Sequence, residues 1–310
     1  MRPRSRIPTR AVRWDTADDD FLDLHRLDAP AGAPRLLILH GLEGTIRSHY
    51  VGGLMREAQR RGWAADLLIF RSCGDEPNRA LRFYHSGETS DVDSVVRRLV
   101  SEDPERPLLI VGVSLGGNVL LKWLGELGER VPDQVKGAAA ISVPFDLARG
   151  SRYLDRGFSR FYQAHFLRSL RRKALGKSMR YPQSIRADVV RRARTLYEFD
   201  DLVTAPVHGF RDADDYYSRS SSLGWLARVR RPTLLLSARD DPFLPAAVLD
   251  EVRIIARGNS SLRVEFVDRG GHVGFISGRV PWRPVYYSER RVGEFLASTI
   301  DIVDEPAAGS

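Results

Sequence analysis

The sequence has a single cysteine, Cys73, in 310 residues. An internal disulfide is therefore excluded, and no cysteine cluster is available for a structural zinc site. No apolar run approaches the roughly 20 residues that a membrane-spanning helix needs. The opening Met1-Arg2-Pro3-Arg4-Ser5-Arg6 is basic, but no hydrophobic stretch follows before Trp14-Asp15, so no secretory signal is expected. Together these absences predict a cytoplasmic protein. Internal repeats, low-complexity linkers and blocks of like charge are also missing. The net charge of +8 comes from arginines spread along the chain. With no zinc-finger spacing and no basic-aromatic strand motif, nucleic acid is not an expected partner. Anionic substrates and a peripheral contact with acidic lipid stay open. His40, His49 and His85 share no element at metal-ligand spacing, and neither a metal nor a cofactor is expected.

What is present is a globular composition, 43% hydrophobic and 28% charged. The length suits one large α/β domain, 1–310, with an insertion. Residues up to about Asp20 read as irregular. Residues 21–27 alternate apolar and polar, as a half-exposed edge strand does. Apolar runs at 35–39, 64–70, 108–111, 137–143, 232–237 and 262–267 read as further strands. Helical spacing at 50–61, 91–100, 117–124, 246–256 and 289–302 fills the gaps between them. This alternation predicts a mostly parallel sheet with helices on both faces. After Pro144 the pattern changes. Residues 145–226 are rich in Arg, Tyr and Phe, with helical spacing and no strand-like run. They interrupt the alternation between two strands, so they are expected to lie over the carboxyl ends of the sheet as a helical cap.

Gly112-Val113-Ser114-Leu115-Gly116 stands between the 108–111 strand and the helix that follows. A sharp strand-to-helix turn strains the serine backbone, and glycines on both sides leave room for it. The hydroxyl would stand over a helix N-terminus, which favours developing negative charge. The bare G-x-S-x-G pattern arises by chance in roughly one chain in ten of this length. Its weight therefore depends on a base, an acid and an oxyanion hole being present.

Serine attack on a carbonyl needs a base for the hydroxyl proton and a group that orients the base. On this strand-turn-helix plan the chain order is Ser, then Asp or Glu, then His. Asp240 and Asp241 follow the 232–237 strand. His272 follows the 262–267 strand, behind Gly270-Gly271. The plainer readings are a loop histidine without a role and aspartates that cap the helix at 246. Asp240 and Asp241 are both candidates for the acid. His40-Gly41-Leu42-Glu43-Gly44 lies after the strand at 35–39, and its glycines let a backbone N–H point into the site. We assign the oxyanion donors to the N–H groups of Leu42 and Leu115. His40 itself reads as structural.

Other candidates have plainer roles. Cys73 reads as a buried small side chain, with no histidine or cation placed beside it by the sequence. Tyr216-Tyr217 and Phe161-Tyr162 read as cap core rather than a ligand cage. Arg168, Arg171, Arg172, Lys173 and Lys177 form a basic helix face, read as solvated surface with a membrane or phosphate contact as the sharper alternative.

Four stretches together resemble the YheT/EMB8-like branch of the α/β-hydrolases. They are 40–44, Pro77-Asn78-Arg79 with 84–88, Gly112-Val113-Ser114-Leu115-Gly116-Gly117-Asn118, and Gly270-Gly271-His272-Val273-Gly274-Phe275. Gly157-Phe158-Ser159-Arg160, Phe199-Asp200-Asp201-Leu202 and Asp240-Asp241-Pro242-Phe243 add to it. The resemblance runs from about Leu22 to Trp282. It departs at Arg71-Ser72-Cys73-Gly74, where Arg-Gly-Cys is the expected run. It implies an α/β-hydrolase fold with a helical cap and a serine hydrolase acting on carboxylic esters, lipid esters among eukaryotic relatives. The expected substrate is a small-molecule ester of short to medium acyl chain or lipid-like character. A thioesterase or acyltransferase would use the same residues, and a non-catalytic binding protein could share the scaffold. The acid loop of this fold commonly reads small residue, two variable residues, Asp, then proline four positions on. Ala238-Arg239-Asp240-Asp241 with Pro245 fits that frame with Asp241 as the acid, leaving Asp240 to accept backbone N–H groups of the turn or to pair with an arginine.

Overall fold

The computed structural model describes residues 7–157, 159–277 and 285–301. Phe158, Trp282 and Ile302, which figure in the expectations above, lie outside the described residues. β1 (Arg10–Asp15) and β2 (Phe21–Leu27) pair antiparallel, with Trp14 opposite Leu22. The expectation of an irregular start is thus corrected, and β2 is the second strand rather than the edge. Arg10, Arg13 and Asp15 hide the period of two in β1, yet Trp14 is buried against the core.

Short apolar runs then build the parallel part of the sheet, since strands covered on both faces need no polar side. They are β3 (Arg35–Leu39), followed by α1 (His49–Arg60), and β4 (Ala64–Ile69), followed by α2 (Ser90–Glu102). Next come β5 (Leu108–Val113), α3 (Leu115–Leu127) and β6 (Val135–Ile141). Between β6 and the next strand the chain is helical: α4 (Leu147–Leu154), α5 (Ser159–Arg180), α6 (Ala187–Arg192), α7 (Leu196–Phe199), α8 (Ala205–Val207) and α9 (Ala213–Ser220). β7 (Thr233–Ala238), α10 (Ala246–Arg257) and β8 (Leu262–Val267) resume the alternation. A small hairpin of β9 (Ile276–Ser277) and β10 (Val285–Tyr286) precedes α11 (Tyr287–Asp301). The sheet order is β1-β2-β4-β3-β5-β6-β7-β8, parallel from β4 to β8. α1 packs with α11, and α3 packs with α2, so helices cover both faces. Among the described residues no helix is long and apolar enough to cross a membrane.

One polar cluster ties the hairpin to the loops over the sheet. The Arg71 guanidinium, after β4, donates to Asp20 at 2.6 Å and to Asp91 at 2.8 Å, with Asp18 at 3.2 Å. Arg71, Asp20 and Asp91 are all buried. Removing the cation takes the shared counter-charge from two buried carboxylates, leaving Asp20 with the Asn78 amide and two backbone N–H groups and Asp91 with Arg82 at 3.2 Å, which is costlier than never having had the pair. Arg71→Ala is expected to lower unfolding free energy by about 3–5 kcal/mol in urea titration. A change under about 1 kcal/mol would show that water replaces the guanidinium.

Candidate active site

Ser114 joins β5 to α3 with φ +53° and ψ −119°, a region that non-glycine residues seldom occupy. Its N–H donates to Ile141 O at 2.8 Å, which fixes the turn against β6. Glycine is required on both sides. A Cβ on Gly112 would sit 2.4 Å from Gly116 O, and one on Gly116 would sit 2.4 Å from Leu39 O. Asn118, one turn into α3, donates to Ser86 O and Ser220 O and accepts from Ser222 N–H. It anchors the loop before α2 and the end of α9 to the serine turn. Reading residue by residue gave it no role, although it completes the Gly116-Gly117-Asn118 run.

The β7 and β8 loops bring the acid and base candidates to the serine. His272 Nδ1 lies 2.9 Å from Asp241 Oδ2 and 3.1 Å from Oδ1, and Nε2 lies 3.0 Å from Ser114 Oγ. An ionised carboxylate only accepts, so Nδ1 carries the proton and Nε2 is free to accept from the serine hydroxyl. Asp241 is buried, and its Oδ1 also accepts from Phe243 N–H at 2.8 Å. The Phe243 ring stacks on the imidazole at 3.9 Å between centroids. Asp240 turns the other way. Its Oδ1 accepts the N–H groups of Gly270 and Gly271 at 2.9 and 2.8 Å, just ahead of His272. Val273, a β-branched residue, has φ +61°, and its N–H donates to Ser142 Oγ. Backbone strain thus sits on both sides of the serine–histidine contact.

The loop after β3 spends most of its N–H groups elsewhere. Gly41 N–H donates to Tyr50 OH, Glu43 N–H to Tyr84 OH, and Gly44 N–H to Gly41 O. That leaves the N–H of Leu42, which lines the same cavity as Ser114 and Leu115. Leu115 is the first residue of α3, where an N–H has no partner within the helix. His40 is fully buried. Its Nδ1 faces Gly41 O, Nε2 accepts from Phe70 N–H, and burial pushes its pKa down to about 4. Glu43 has φ +56° and takes hydrogen bonds from Tyr84, Ser169 and Lys173. Burial alone would raise its carboxyl, but Lys173 and the hydroxyls hold it below the usual range.

The basic face of α5 divides in two. Lys173 turns inward to Glu43, and Lys177 donates to Asn78 O at 2.9 Å and to Ala80 O. Arg168, Arg171 and Arg172 border a surface groove with Arg194. Cys73 does have a cation beside it, Lys173 Nζ at 3.3 Å from Sγ, contrary to expectation. Burial nevertheless pushes the thiol up to about 11, so it stays protonated. Tyr216 and Tyr217 are buried, as expected of core, and also line the cavity, whereas Phe161 and Tyr162, expected as core too, are exposed on α5. That cavity encloses about 850 Å³ counting its mouth. Its wall is mostly apolar, with Leu147, Leu154, Phe166, Leu170, Leu196 and Phe199 supplied by the helices between β6 and β7. Among the described residues no group of three His, Cys, Asp or Glu side chains is placed to hold a metal ion.

A parallel sheet covered on both faces, with a strained serine where its fifth strand meets a helix, is the plan of the alpha/beta hydrolase fold. The sequence profile of that family matches residues 34–279, and the chain belongs to it. Within the family it belongs to the YheT/EMB8-like branch. YheT of Escherichia coli (strain K12) is 39% identical over 93% of this chain and 85% of that protein. Phospholipase ABHD3 of Mus musculus is 30% identical over 86% of this chain, which spans 64% of the mouse protein. Among solved structures, the Pyrococcus furiosus esterase Pf2001 superposes with a TM-score of 0.62 over 94% of this chain and 91% of its own. At 18% identity it shares the fold.

Proposed function

We propose that the protein is a serine hydrolase of carboxylic esters, with Ser114 as nucleophile, His272 as general base and Asp241 as the acid that orients it. The observation that carries this reading is the unbroken hydrogen-bonded chain from Asp241 through His272 to Ser114, opening on an apolar cavity. His272 Nε2 takes the serine proton as Oγ attacks the acyl carbonyl, and Asp241 stabilises the imidazolium that forms. The N–H groups of Leu42 and Leu115 hold the oxyanion. The imidazolium returns its proton to the departing alcohol. A water, deprotonated by the same imidazole, then releases the acid.

The segment 145–226 acts as a cap that roofs the cavity. The apolar wall suits short to medium acyl chains or lipid-like esters, in keeping with the esterase and phospholipase names of similar proteins. A lone buried cysteine fits a reducing, cytoplasmic setting. A panel of nitrophenyl esters, from acetyl to hexadecanoyl, tests the reading. Turnover is expected to peak at short to medium chains and to survive chelators. No turnover of any chain length, together with no labelling by a fluorophosphonate, would overturn it.

A further inference from the structure

Among the described residues, the wall of the cavity above Ser114 holds one acidic side chain, Asp200, and no lysine or arginine. Asp200 opens a five-residue π-turn, Asp200–Thr204, between α7 and α8. Such turns are rare and gather at functional sites. Thr204 Oγ1 donates to Asp200 Oδ1 at 2.7 Å, and Tyr217 OH donates to Oδ2 at 2.8 Å. Both neighbours donate, which suits an ionised carboxylate. In a chain with 48 lysines and arginines, no cation among the described residues pairs with it.

The charged groups on the elements packed around Asp200 are turned elsewhere. On α4, Arg149 pairs with Asp146 and Glu251, and Arg152 is exposed. On α6, Arg192 pairs with Asp188 and Arg191 is exposed. On α9, Arg219 pairs with Asp215. Asp201 takes Ala213 N–H, and Glu198 takes Arg194 N–H. His85 and His208 are both pushed down to about 3 by burial and are neutral. Burial pushes the phenols of Tyr216 and Tyr217 up, so they are neutral too. Burial likewise raises the Asp200 carboxyl to about 6. A carboxyl raised on folding makes ionisation a burden on stability: the cost is absent below about pH 4, grows up to about pH 6, and is complete above. The fold therefore gains nothing from this charge at neutral pH, which points to a ligand as its partner.

We propose that Asp200 is the counter-charge for a quaternary ammonium group carried by the ester and makes the cavity selective for cationic over neutral esters of equal shape, a role that rests on the serine-hydrolase reading above. Tyr216, Tyr217 and Phe199 line the same cavity, and aromatic rings attract a quaternary ammonium that has shed its water. A primary ammonium needs three acceptors, and the apolar wall offers few. The net charge of +8 makes the molecule as a whole unattractive to cations, so selectivity must arise inside the cavity.

The test compares the choline ester and the 3,3-dimethylbutyl ester of one medium-chain acid, which differ by a charged nitrogen in place of carbon. At pH 8, kcat/KM is expected to favour the choline ester by about tenfold or more. In Asp200→Asn the ratio is expected to fall severalfold, to the smaller preference that the aromatic rings alone supply. In the unmodified enzyme the ratio is expected to decline as pH is lowered through 6. That arm needs no variant, and the titration of the triad cancels in the ratio. A ratio near one in the unmodified enzyme at pH 8, or one that Asp200→Asn leaves intact, overturns the inference while leaving the hydrolase reading standing. Turnover of the nitrophenyl panel with neither of these two esters hydrolysed also overturns the inference alone, whereas no turnover of any ester together with no fluorophosphonate labelling overturns the hydrolase reading, and this inference with it.

Discussion

Ser114→Ala is expected to lower ester turnover by on the order of a millionfold and to abolish reaction with a fluorophosphonate. Ser114 Oγ is the one hydroxyl within hydrogen-bond distance of His272 Nε2 among the described contacts. Without it the imidazole has no nucleophile to deprotonate, and only weak catalysis by the oxyanion donors remains. The variant separates chemistry from folding. The two backbone hydrogen bonds at this residue, from Ser114 N–H to Ile141 O and from Asn118 N–H to Ser114 O, do not involve the hydroxyl. Alanine keeps the same Cβ, so the strained φ is neither relieved nor worsened. Melting temperature is therefore expected to stay within a few degrees of the parent. Covalent labelling that persists in Ser114→Ala would place the nucleophile elsewhere and remove the basis of the proposed mechanism.

The sequence led to the serine, histidine and aspartate that the fold brings together because each signal is local. A strand, a glycine-flanked serine and a helix can be read within a dozen residues, and each partner follows its own apolar run. The parts that stayed hidden depend on packing between distant segments. Nothing near Asp200 marks it as a cavity residue, since Tyr217, which also meets Ser151 of α4, reaches it only once α9 packs against the turn. Lys173 and Lys177 read as a solvated face in the sequence because their acceptors, Glu43 and the carbonyls of Asn78 and Ala80, lie 97 to 130 residues away. β1 has no apolar alternation to read, because Arg10 takes a position on the Trp14 face while Arg13 and Asp15 occupy the other. The departure at Ser72 has a local explanation that only backbone angles reveal. Ser72 has φ +68°, where glycine is the unstrained choice, and its Oγ donates to Asn78 Oδ1. A hydrogen bond across the loop offsets part of the strain that a side chain at that φ introduces.

The adjacent aspartates give the second large effect. Asp241→Asn is expected to lose on the order of ten-thousandfold in turnover while folding normally. Both Asp241 oxygens face His272 Nδ1, and Oδ1 also takes Phe243 N–H. An asparagine that keeps the Phe243 bond turns its NH2 toward the imidazole. Nδ1 must then accept, which moves the ring proton to Nε2, opposite the Ser114 hydroxyl. Two donors now face each other where a base is needed, and the imidazolium of the transition state has no counter-charge. Asp240→Asn keeps an amide oxygen that can still accept from Gly270 and Gly271, losing only the charge-assisted part of those bonds. Its cost is expected to be about 1 kcal/mol of stability, with turnover within about tenfold of the parent. Asp240→Ala goes further, since it unfastens the two glycines that carry His272. It is expected to lower turnover more than Asp240→Asn does, without approaching Asp241→Asn. Turnover and melting temperature for the three variants decide the assignment. Near-normal turnover in Asp241→Asn beside a dead Asp240→Asn would move the catalytic acid to Asp240 and require the β7 loop to rearrange when substrate binds.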